Sequence, residues 1–286
     1  MAVCAVAASA SGVVVARAVA GTSSASSYSQ PAWSPDGRRL AFIAWNAGGH
    51  TDLGVMEVIR RTMRRIHLRF AVQHPSWGPG SVRVVLERSS SRGPDLWSVD
   101  VRDGGTRRVA RNGSWPAWSA RNEIAFSSGP TETSASAIQL VKPGGGDRRV
   151  LVRPTGEESY TAPSWTRTGD RVAFIVGRAP DSGNVGPFLA AVGQRGGRPR
   201  YLLRSHNPAT ASWAPSGEAL AFTEYEHSFY GKTWVSVVDV RTGRVRRLHS
   251  GKEPAWSPTH DAIAFVERGA IYEMRSDGTH VRKLTP

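Results

Sequence analysis

The sequence predicts an all-β fold, a six-bladed β-propeller with four antiparallel strands in each blade, from three observations. A tryptophan-centred motif occurs six times, at intervals of 44, 41, 47, 48 and 43 residues. Every copy continues into a turn and a short apolar segment that favours a β-strand. The 286 residues include 30 glycines and 18 prolines, a content that indicates many turns. A period of this size, with four short strands, is typical of a propeller blade.

The repeated motif combines a tryptophan with an apolar anchor eight or nine residues later. The tryptophans are Trp33, Trp77, Trp118, Trp165, Trp213 and Trp256. The anchors are Phe42, Leu86, Phe126, Phe174, Phe222 and Phe265. Successive copies predict blades at 28–71, 72–112, 113–156, 157–205, 206–250 and 251–286. We expect the tryptophans to be buried between neighbouring blades.

Each predicted blade reads as four strands in order. The first ends at the tryptophan, and a turn such as Pro35-Asp36-Gly37 follows, where glycine supplies a positive φ. The second strand carries the apolar anchor. The third alternates apolar and polar residues, as in Thr233-Trp234-Val235-Ser236-Val237. A turn such as Asp277-Gly278 then leads to a fourth strand with a basic pair and an aliphatic residue.

This pattern resembles the TolB-like and WD-repeat-like propeller family. The resemblance rests on Ala32-Trp33-Ser34-Pro35-Asp36-Gly37 followed by Leu40-Ala41-Phe42, and on the five degenerate copies. It covers the propeller part of TolB only, without the separate α/β domain that precedes the propeller in that protein. It implies a fold rather than a function, because propellers serve both as binding proteins and as enzymes.

Residues 1–27 are predicted to be an export signal or a disordered segment. Ala18-Val19-Ala20 fits an A-x-A cleavage site, and Ser- and Gly-rich sequence follows it. A signal would make the protein periplasmic, cell-wall or secreted; a disordered tail or stray strand here would leave it cytoplasmic. No apolar run is long enough to predict a membrane span. The single cysteine, Cys4, excludes a disulfide framework and a thiolate zinc site.

The basic surplus is spread around the predicted disc. With 37 Lys and Arg against 23 Asp and Glu, the formal net charge is +14. Basic residues recur in the fourth, outermost strands: Arg64-Arg65, Arg107-Arg108, Arg148-Arg149, Arg198 and Arg200, Arg246-Arg247, and Arg282-Lys283. Charges there protect an exposed sheet edge from aggregation, although a surface for polyanions is the alternative. A nucleic-acid partner is not expected, because such proteins gather their charge on one face.

A binding site is predicted on the face of the disc where the blade-to-blade loops surround the central channel. Three residues before the successive tryptophans stand Gln30, His74, Trp115, Ala162, Thr210 and Glu253. The frame at this position repeats while its side chain varies, as expected if a ligand dictates the lining; variable loop residues facing water are the alternative. Loop residues Tyr160, His206, Tyr225, His227 and Tyr230 complete the predicted site.

The sequence favours a non-enzymatic binding or scaffold module that acts as a monomer on a protein or an anionic surface polymer. No catalytic residue, metal site or cofactor is predicted, since the chain lacks the G-x-S-x-G, H-E-x-x-H and Walker patterns. The alternative is a propeller enzyme of the polysaccharide lyase or hydrolase type. It would use a site in the central channel, where His50, His74, His206 and His227 are predicted to face.

Closure of the ring is the last expectation. The first and last blades each read as complete from contiguous sequence, with no strand exchanged between the termini. Apolar packing alone is therefore expected to join blades one and six, which would make that interface the weakest seam.

Overall fold

The computed structural model describes residues 18–19, 25–128, 135–156, 158–178, 187–226 and 231–286. Within these ranges the regular structure consists of β-strands arranged as six antiparallel sheets around a central channel. The predicted all-β, six-bladed propeller is confirmed. No helix in the described ranges has the length and apolar character needed to cross a membrane.

The strands follow the chain from the channel outward in every blade, except that the strand Ala18–Val19 lies at the outer edge of blade one. Blade one has β1 (Ala18–Val19), β2 (Ala25–Trp33), β3 (Arg39–Asn46), β4 (Thr51–Glu57) and β5 (Thr62–Ile66). Blade two has β6 (Val72–Trp77), β7 (Arg83–Arg88), β8 (Asp95–Asp100) and β9 (Thr106–Arg111). Blade three has β10 (Gly113–Trp118), β11 (Ile124–Ser128), β12 (Ile138–Val141) and β13 (Arg149–Val152).

The second half of the ring repeats this order. Blade four has β14 (Glu158–Trp165), β15 (Arg171–Arg178), β16 (Phe188–Gly193) and β17 (Gly196–Leu203). Blade five has β18 (Pro208–Trp213), β19 (Ala219–Tyr225), β20 (Thr233–Asp239) and β21 (Val245–Ser250). Blade six has β22 (Lys252–Trp256), β23 (Ile263–Glu267), β24 (Ala270–Met274) and β25 (Arg282–Lys283).

The core lies between adjacent blades rather than at the centre of the disc. The second strand of each blade is apolar on both faces because a neighbouring sheet covers each face. All six anchors, Phe42, Leu86, Phe126, Phe174, Phe222 and Phe265, are 0% exposed. One cluster joins Leu40 of blade one to Ala264 of blade six, and another joins Leu53 of blade one to Val84 of blade two. Stacking of apolar sheet faces therefore holds the ring together.

The repeat tryptophans lie at the blade interfaces, as the sequence predicts. Trp33, Trp77 and Trp213 are buried, whereas Trp118, Trp165 and Trp256 are half-buried beside the channel. The indole N–H groups of Trp33, Trp77, Trp165 and Trp213 donate to backbone carbonyls of the preceding blade at 3.0–3.1 Å. Each of these side chains therefore provides both apolar contact and a directional bond between blades.

The ring closes without a mixed blade, because the strands of every described sheet are contiguous in sequence. The expectation that apolar contact alone joins the ends is wrong. Trp33 Nε1 donates to Ala255 O at 3.1 Å, and Tyr28 N donates to Gly269 O at 2.6 Å. Hydrogen bonds of the same kind join other blades. The interface between blades one and six therefore has the same types of contact as the other interfaces. At the outer edge of blade one, β1 pairs with β5.

Substitution of matched tryptophans tests the seam. Trp33→Phe and Trp213→Phe each remove a 3.1 Å bond to the preceding blade from a side chain that is 8% or 6% exposed. Both variants are expected to lose about 2 kcal/mol of unfolding free energy, from the lost bond and the smaller ring. Urea unfolding measures the loss. A much larger loss for Trp33→Phe, or a separate unfolding transition of that variant at low urea, would indicate that the interface between blades one and six is the weakest one.

The rim arginines also bond between blades. Arg107 Nη2 donates to Gly144 O at 3.3 Å, and Arg246 Nη2 donates to Ser276 O at 2.9 Å. In both cases the acceptor lies in the turn between the third and fourth strands of the next blade. The guanidinium groups remain exposed. Part of the basic charge is therefore used to connect neighbouring blades, a role that the sequence pattern did not indicate.

Candidate functional site at the channel mouth

The channel mouth is formed by a bulge that interrupts the first strand of each blade. The register between the first and second strands shifts between Ser29 and Ala32 in blade one, and at the corresponding place in the other five. The residues at these bulges are the ones predicted from the sequence: Gln30, His74, Trp115, Ala162, Thr210 and Glu253. Together with the next residue in each blade they line a cavity of about 130 Å³.

Five of these described positions have a left-handed backbone without being glycine. The φ angles of Gln30, His74, Trp115, Ala162 and Glu253 lie between 49° and 56°. Such a conformation costs a residue with a side chain about 1 kcal/mol or more, and glycine would avoid that cost. Thr210 differs in having no positive φ, and alanine follows it where proline follows the other five. The mouth therefore retains side chains at positions where the backbone favours glycine.

Side chains from the preceding blade satisfy the bulge N–H groups. Gln30 N donates to Glu253 Oε2, and His74 N donates to Gln30 Oε1, both at 2.7 Å. The mouth residue of one blade thus caps the bulge of the next, and this chain of bonds crosses from blade six through blade one to blade two. These bonds offset part of the backbone strain and fix the side-chain positions.

Two other bulges are capped from the second strand of the preceding blade. Trp115 N donates to Glu87 Oε2 at 3.1 Å, and Glu253 N donates to Thr223 Oγ1 at 2.7 Å. Glu87 and Thr223 each follow an apolar anchor directly. Sequence reasoning missed both residues. The sequence feature that could have identified them is a polar residue directly after the anchor, a position at which blade one has the apolar Ile43.

His74 is the most constrained side chain of the mouth. Its Nδ1 lies 2.9 Å from Glu87 Oε2, and its ring stacks on Trp115 with 3.5 Å between centroids. The His74 and Glu87 side chains are 11% and 12% exposed. Because the pair also holds the Trp115 bulge through Glu87, these three residues form one rigid unit between blades two and three. Both His74 and Trp115 line the cavity at the mouth.

The mouth contrasts in charge with the rest of the molecule. Of the described residues lining it, Glu253 carries a carboxylate and none is Lys or Arg. Lys252 Nζ lies 3.6 Å from Glu253 Oε1 just outside the lining. The carboxamide of Gln30 and the hydroxyl of Thr210 add polar groups. The mouth is therefore suited to donor groups or cations, although the whole chain is basic.

The other predicted site residues that the structure describes do not line the cavity. Tyr160 is 2% exposed, packs on Phe174, and donates from its hydroxyl to Glu158 Oε2 at 3.0 Å. Burial and the Glu158 carboxylate raise the pKa of Tyr160. His206 is exposed in the connection between blades four and five, with Nδ1 2.7 Å from Ser205 Oγ. Tyr160 is thus a packing residue, which corrects its predicted place in a loop.

Tyr225 ends β19 and is half-buried beside Asn207, whose O accepts from Tyr225 N at 3.3 Å. His227 and Tyr230 lie outside the described residues. His50 lies on the loop after β3, away from the channel lining. Among the histidines predicted to face the channel and described by the structure, His74 is thus the one at the mouth. No group of three His, Cys, Asp or Glu side chains in the described ranges is arranged to hold a metal ion.

Comparison with solved structures identifies the class of fold. The chain is similar to a putative TolB from Agrobacterium tumefaciens, with 19% identity and a TM-score of 0.66 over 82% of this chain and 87% of that one. It is similar to TolB from Acinetobacter baumannii, with 17% identity and a TM-score of 0.63 over 91% of this chain and 63% of that one. An oligogalacturonate lyase in complex with manganese gives 13% identity and a TM-score of 0.60, covering 90% of this chain and 76% of that one.

These likenesses define the molecule as a six-bladed propeller of the kind found in TolB, in agreement with the resemblance of the repeat motif. The chain spans less than two thirds of the Acinetobacter TolB chain. No protein-family model matches the sequence, and no curated protein matches it. At these identities the shared feature is the fold.

Proposed function

We propose that the protein is a non-enzymatic binding or scaffold module, exported from the cytoplasm, that holds a segment of a partner protein at the channel mouth. The observation that carries the proposal is the set of non-glycine residues in left-handed conformation among the described mouth positions. A purely structural bulge would favour glycine, whereas a contact surface needs the side chains. Strained residues of this kind concentrate at functional sites.

The lining argues for the chemistry of the partner. Glu253 and Gln30 hold a carboxylate and a carboxamide at the mouth, where one oxygen of each also caps a bulge, and the His74–Trp115 stack adds aromatic surface. Rigid aromatic groups make good contact surfaces because little rotamer entropy is lost on binding. A lysine, arginine or amino-terminal group of the partner fits this lining. An anionic polymer suits it less, because Glu253 carries the one carboxylate among the described lining residues and no Lys or Arg belongs to that lining.

The alternative is a propeller enzyme of the polysaccharide lyase or hydrolase type, with its site in the central channel. The likeness to an oligogalacturonate lyase supports it, and the TolB likenesses support the binding module. The rigid His74–Glu87 pair favours recognition, because both groups are committed to holding the bulge of the next blade. Incubation with oligogalacturonate distinguishes the two functions, because a lyase would release unsaturated products that absorb ultraviolet light and a hydrolase would release new reducing ends.

Capture experiments with matched variants test the binding module. Glu253→Gln keeps an oxygen that can cap Gln30 N but removes the charge. Glu218→Gln makes the same change at an exposed residue in the turn between β18 and β19, which is not part of the mouth lining. Against an envelope extract, the Glu253→Gln protein is expected to lose at least 90% of the captured partner by quantitative mass spectrometry, an effect of about 1.4 kcal/mol or more. Glu218→Gln should capture like the unmodified chain.

Two results would overturn the proposal. The first is equal capture by the unmodified chain and by Glu253→Gln. The second is release of unsaturated oligogalacturonides by the purified protein, which would favour the alternative function as a lyase.

A further inference from the structure

The channel opens at its other end into a second and larger cavity. The residues that follow the bulges, Pro31, Pro75, Pro116, Pro163, Ala211 and Pro254, line both cavities and form a ring between them. Beyond this ring lies a vestibule of about 510 Å³, lined by all six repeat tryptophans. Its volume falls within the range of small-molecule sites. We call it the tryptophan vestibule.

The vestibule is lined mostly by residues with apolar side chains, while backbone groups, hydroxyl groups and one charged side chain make about half of its exposed surface polar. Tryptophan, proline and alanine dominate it, and no described residue of the lining is acidic. Three of its tryptophans, Trp118, Trp165 and Trp256, are only half-buried, so part of each indole remains accessible. A ligand entering here meets indole and proline rings alternating with polar backbone and hydroxyl groups.

Arg167 is the one charged side chain among the described residues of this lining. It stands two residues after Trp165, a position that holds proline or alanine in the other five blades. Its Nη1 donates to Pro258 O at 2.6 Å. Since Arg167 belongs to blade four and Pro258 to blade six, this bond joins two blades that are not neighbours in the ring. A guanidinium has five N–H donors, so this bond leaves others for a ligand.

We propose that the tryptophan vestibule binds a small aromatic carboxylate. The guanidinium of Arg167 would pair with the carboxylate, and the aromatic body would pack among the tryptophan and proline rings. The absence of acidic groups among the described lining residues removes a source of repulsion. The net charge of +14 raises the local concentration of anions in addition. This site is independent of the mouth, whose lining selects for the opposite charge.

Isothermal titration with 1-naphthoate tests this inference, with 1-naphthalenemethanol as the neutral ligand of similar shape. The unmodified protein is expected to bind naphthoate at least tenfold more tightly than the alcohol. Arg167→Gln should weaken naphthoate binding at least tenfold and change binding of the alcohol less than twofold. Arg38→Gln provides the matched control, because Arg38 is exposed in a turn of blade one and does not line the vestibule.

Each contrary outcome overturns the inference. No binding of naphthoate by the folded protein excludes the site. An equal loss in Arg38→Gln would assign the binding to the overall charge, and an unchanged affinity in Arg167→Gln would exclude the guanidinium. Urea unfolding of Arg167→Gln, expected to match that of the unmodified chain within about 1 kcal/mol, shows that a lost affinity is not lost structure. Capture at the mouth, measured in parallel, should be the same in both arginine variants.

Discussion

Replacing Gly54 with alanine is expected to lower the free energy of unfolding by about 3 kcal/mol. Gly54 in β4 pairs with Phe42 in β3, and a Cβ atom added at Gly54 would lie 2.1 Å from Phe42 Cε2. The phenyl ring is 0% exposed and enclosed by blades one and six, so it has no free space into which to move. Gly54 has no positive φ, and therefore the cost is steric.

Gly193→Ala is the matched control. Gly193 also lies in a strand without a positive φ, and an added Cβ would meet nothing within 4 Å. This variant is expected to be neutral, or more stable by up to about 1 kcal/mol through reduced freedom of the unfolded chain. Urea unfolding with an unchanged m-value measures both effects. The double variant Gly54→Ala/Phe42→Leu should recover part of the loss, since blade two has Leu86 at the anchor position. Equal stability of the two alanine variants would contradict the steric argument.

Arg247→Met is expected to lower the free energy of unfolding by about 2 kcal/mol at pH 7, because it leaves a buried carboxylate without its cation. Glu224 is 1% exposed, and its Oε1 lies 2.7 Å from Arg247 Nη2. Ser236 Oγ donates to the other oxygen at 2.5 Å. The expected loss is below that of a fully buried pair, since the Arg247 side chain is 46% exposed.

The loss should depend on pH in a defined direction. Burial opposes ionisation of Glu224, but the hydrogen bonds from Arg247 and Ser236 outweigh it and hold the pKa of this carboxyl below its ordinary value. A group with a lowered folded-state pKa stabilises the protein above its unfolded pKa, about 4.3 for glutamate. That contribution disappears as the pH falls through the folded-state pKa. The difference between Arg247→Met and the unmodified chain should therefore be largest near neutral pH and shrink below about pH 4.

The adjacent Arg246→Met separates the ion pair from a general effect of lost charge. Arg246 is exposed, and its guanidinium donates to Ser276 O rather than to a carboxylate. We expect this variant to lose less than about 1 kcal/mol. Equal losses in the two neighbouring variants, or a loss in Arg247→Met that does not vary with pH, would exclude the buried carboxylate as the cause.

Much of the fold is visible in the sequence because a propeller blade is built from local strand pairs. Trp33, its turn and Phe42 lie within ten residues, so their spacing reports the hairpin directly. Burial of the six anchors follows from the same repetition, since each blade must cover its neighbours. For the same reason, the channel-mouth positions, such as Gln30 and His74, could be predicted from the sequence.

Contacts between blades were less visible. The caps of the bulges at Trp115 and Glu253 come from Glu87 and Thr223, 28 and 30 residues earlier, and no local pattern joins the partners. Tyr160 was misplaced for a related reason. Its position near a predicted loop indicated an exposed side chain, and the sequence does not show that a neighbouring sheet covers it.

By itself, the sequence determined the number of blades, the order of their strands, the buried anchors and the mouth position three residues before each repeat tryptophan. All of these depend on periodicities within about 45 residues, which hydrogen-bond geometry and apolar burial impose locally. Only the tertiary structure decided which mouth residue caps which bulge, with Gln30 and Glu253 separated by 223 residues. It also decided that Arg167 reaches Pro258, 91 residues away, in a vestibule lined by tryptophans. Such contacts arise when the ring closes, because closure brings together side chains that no local interaction relates.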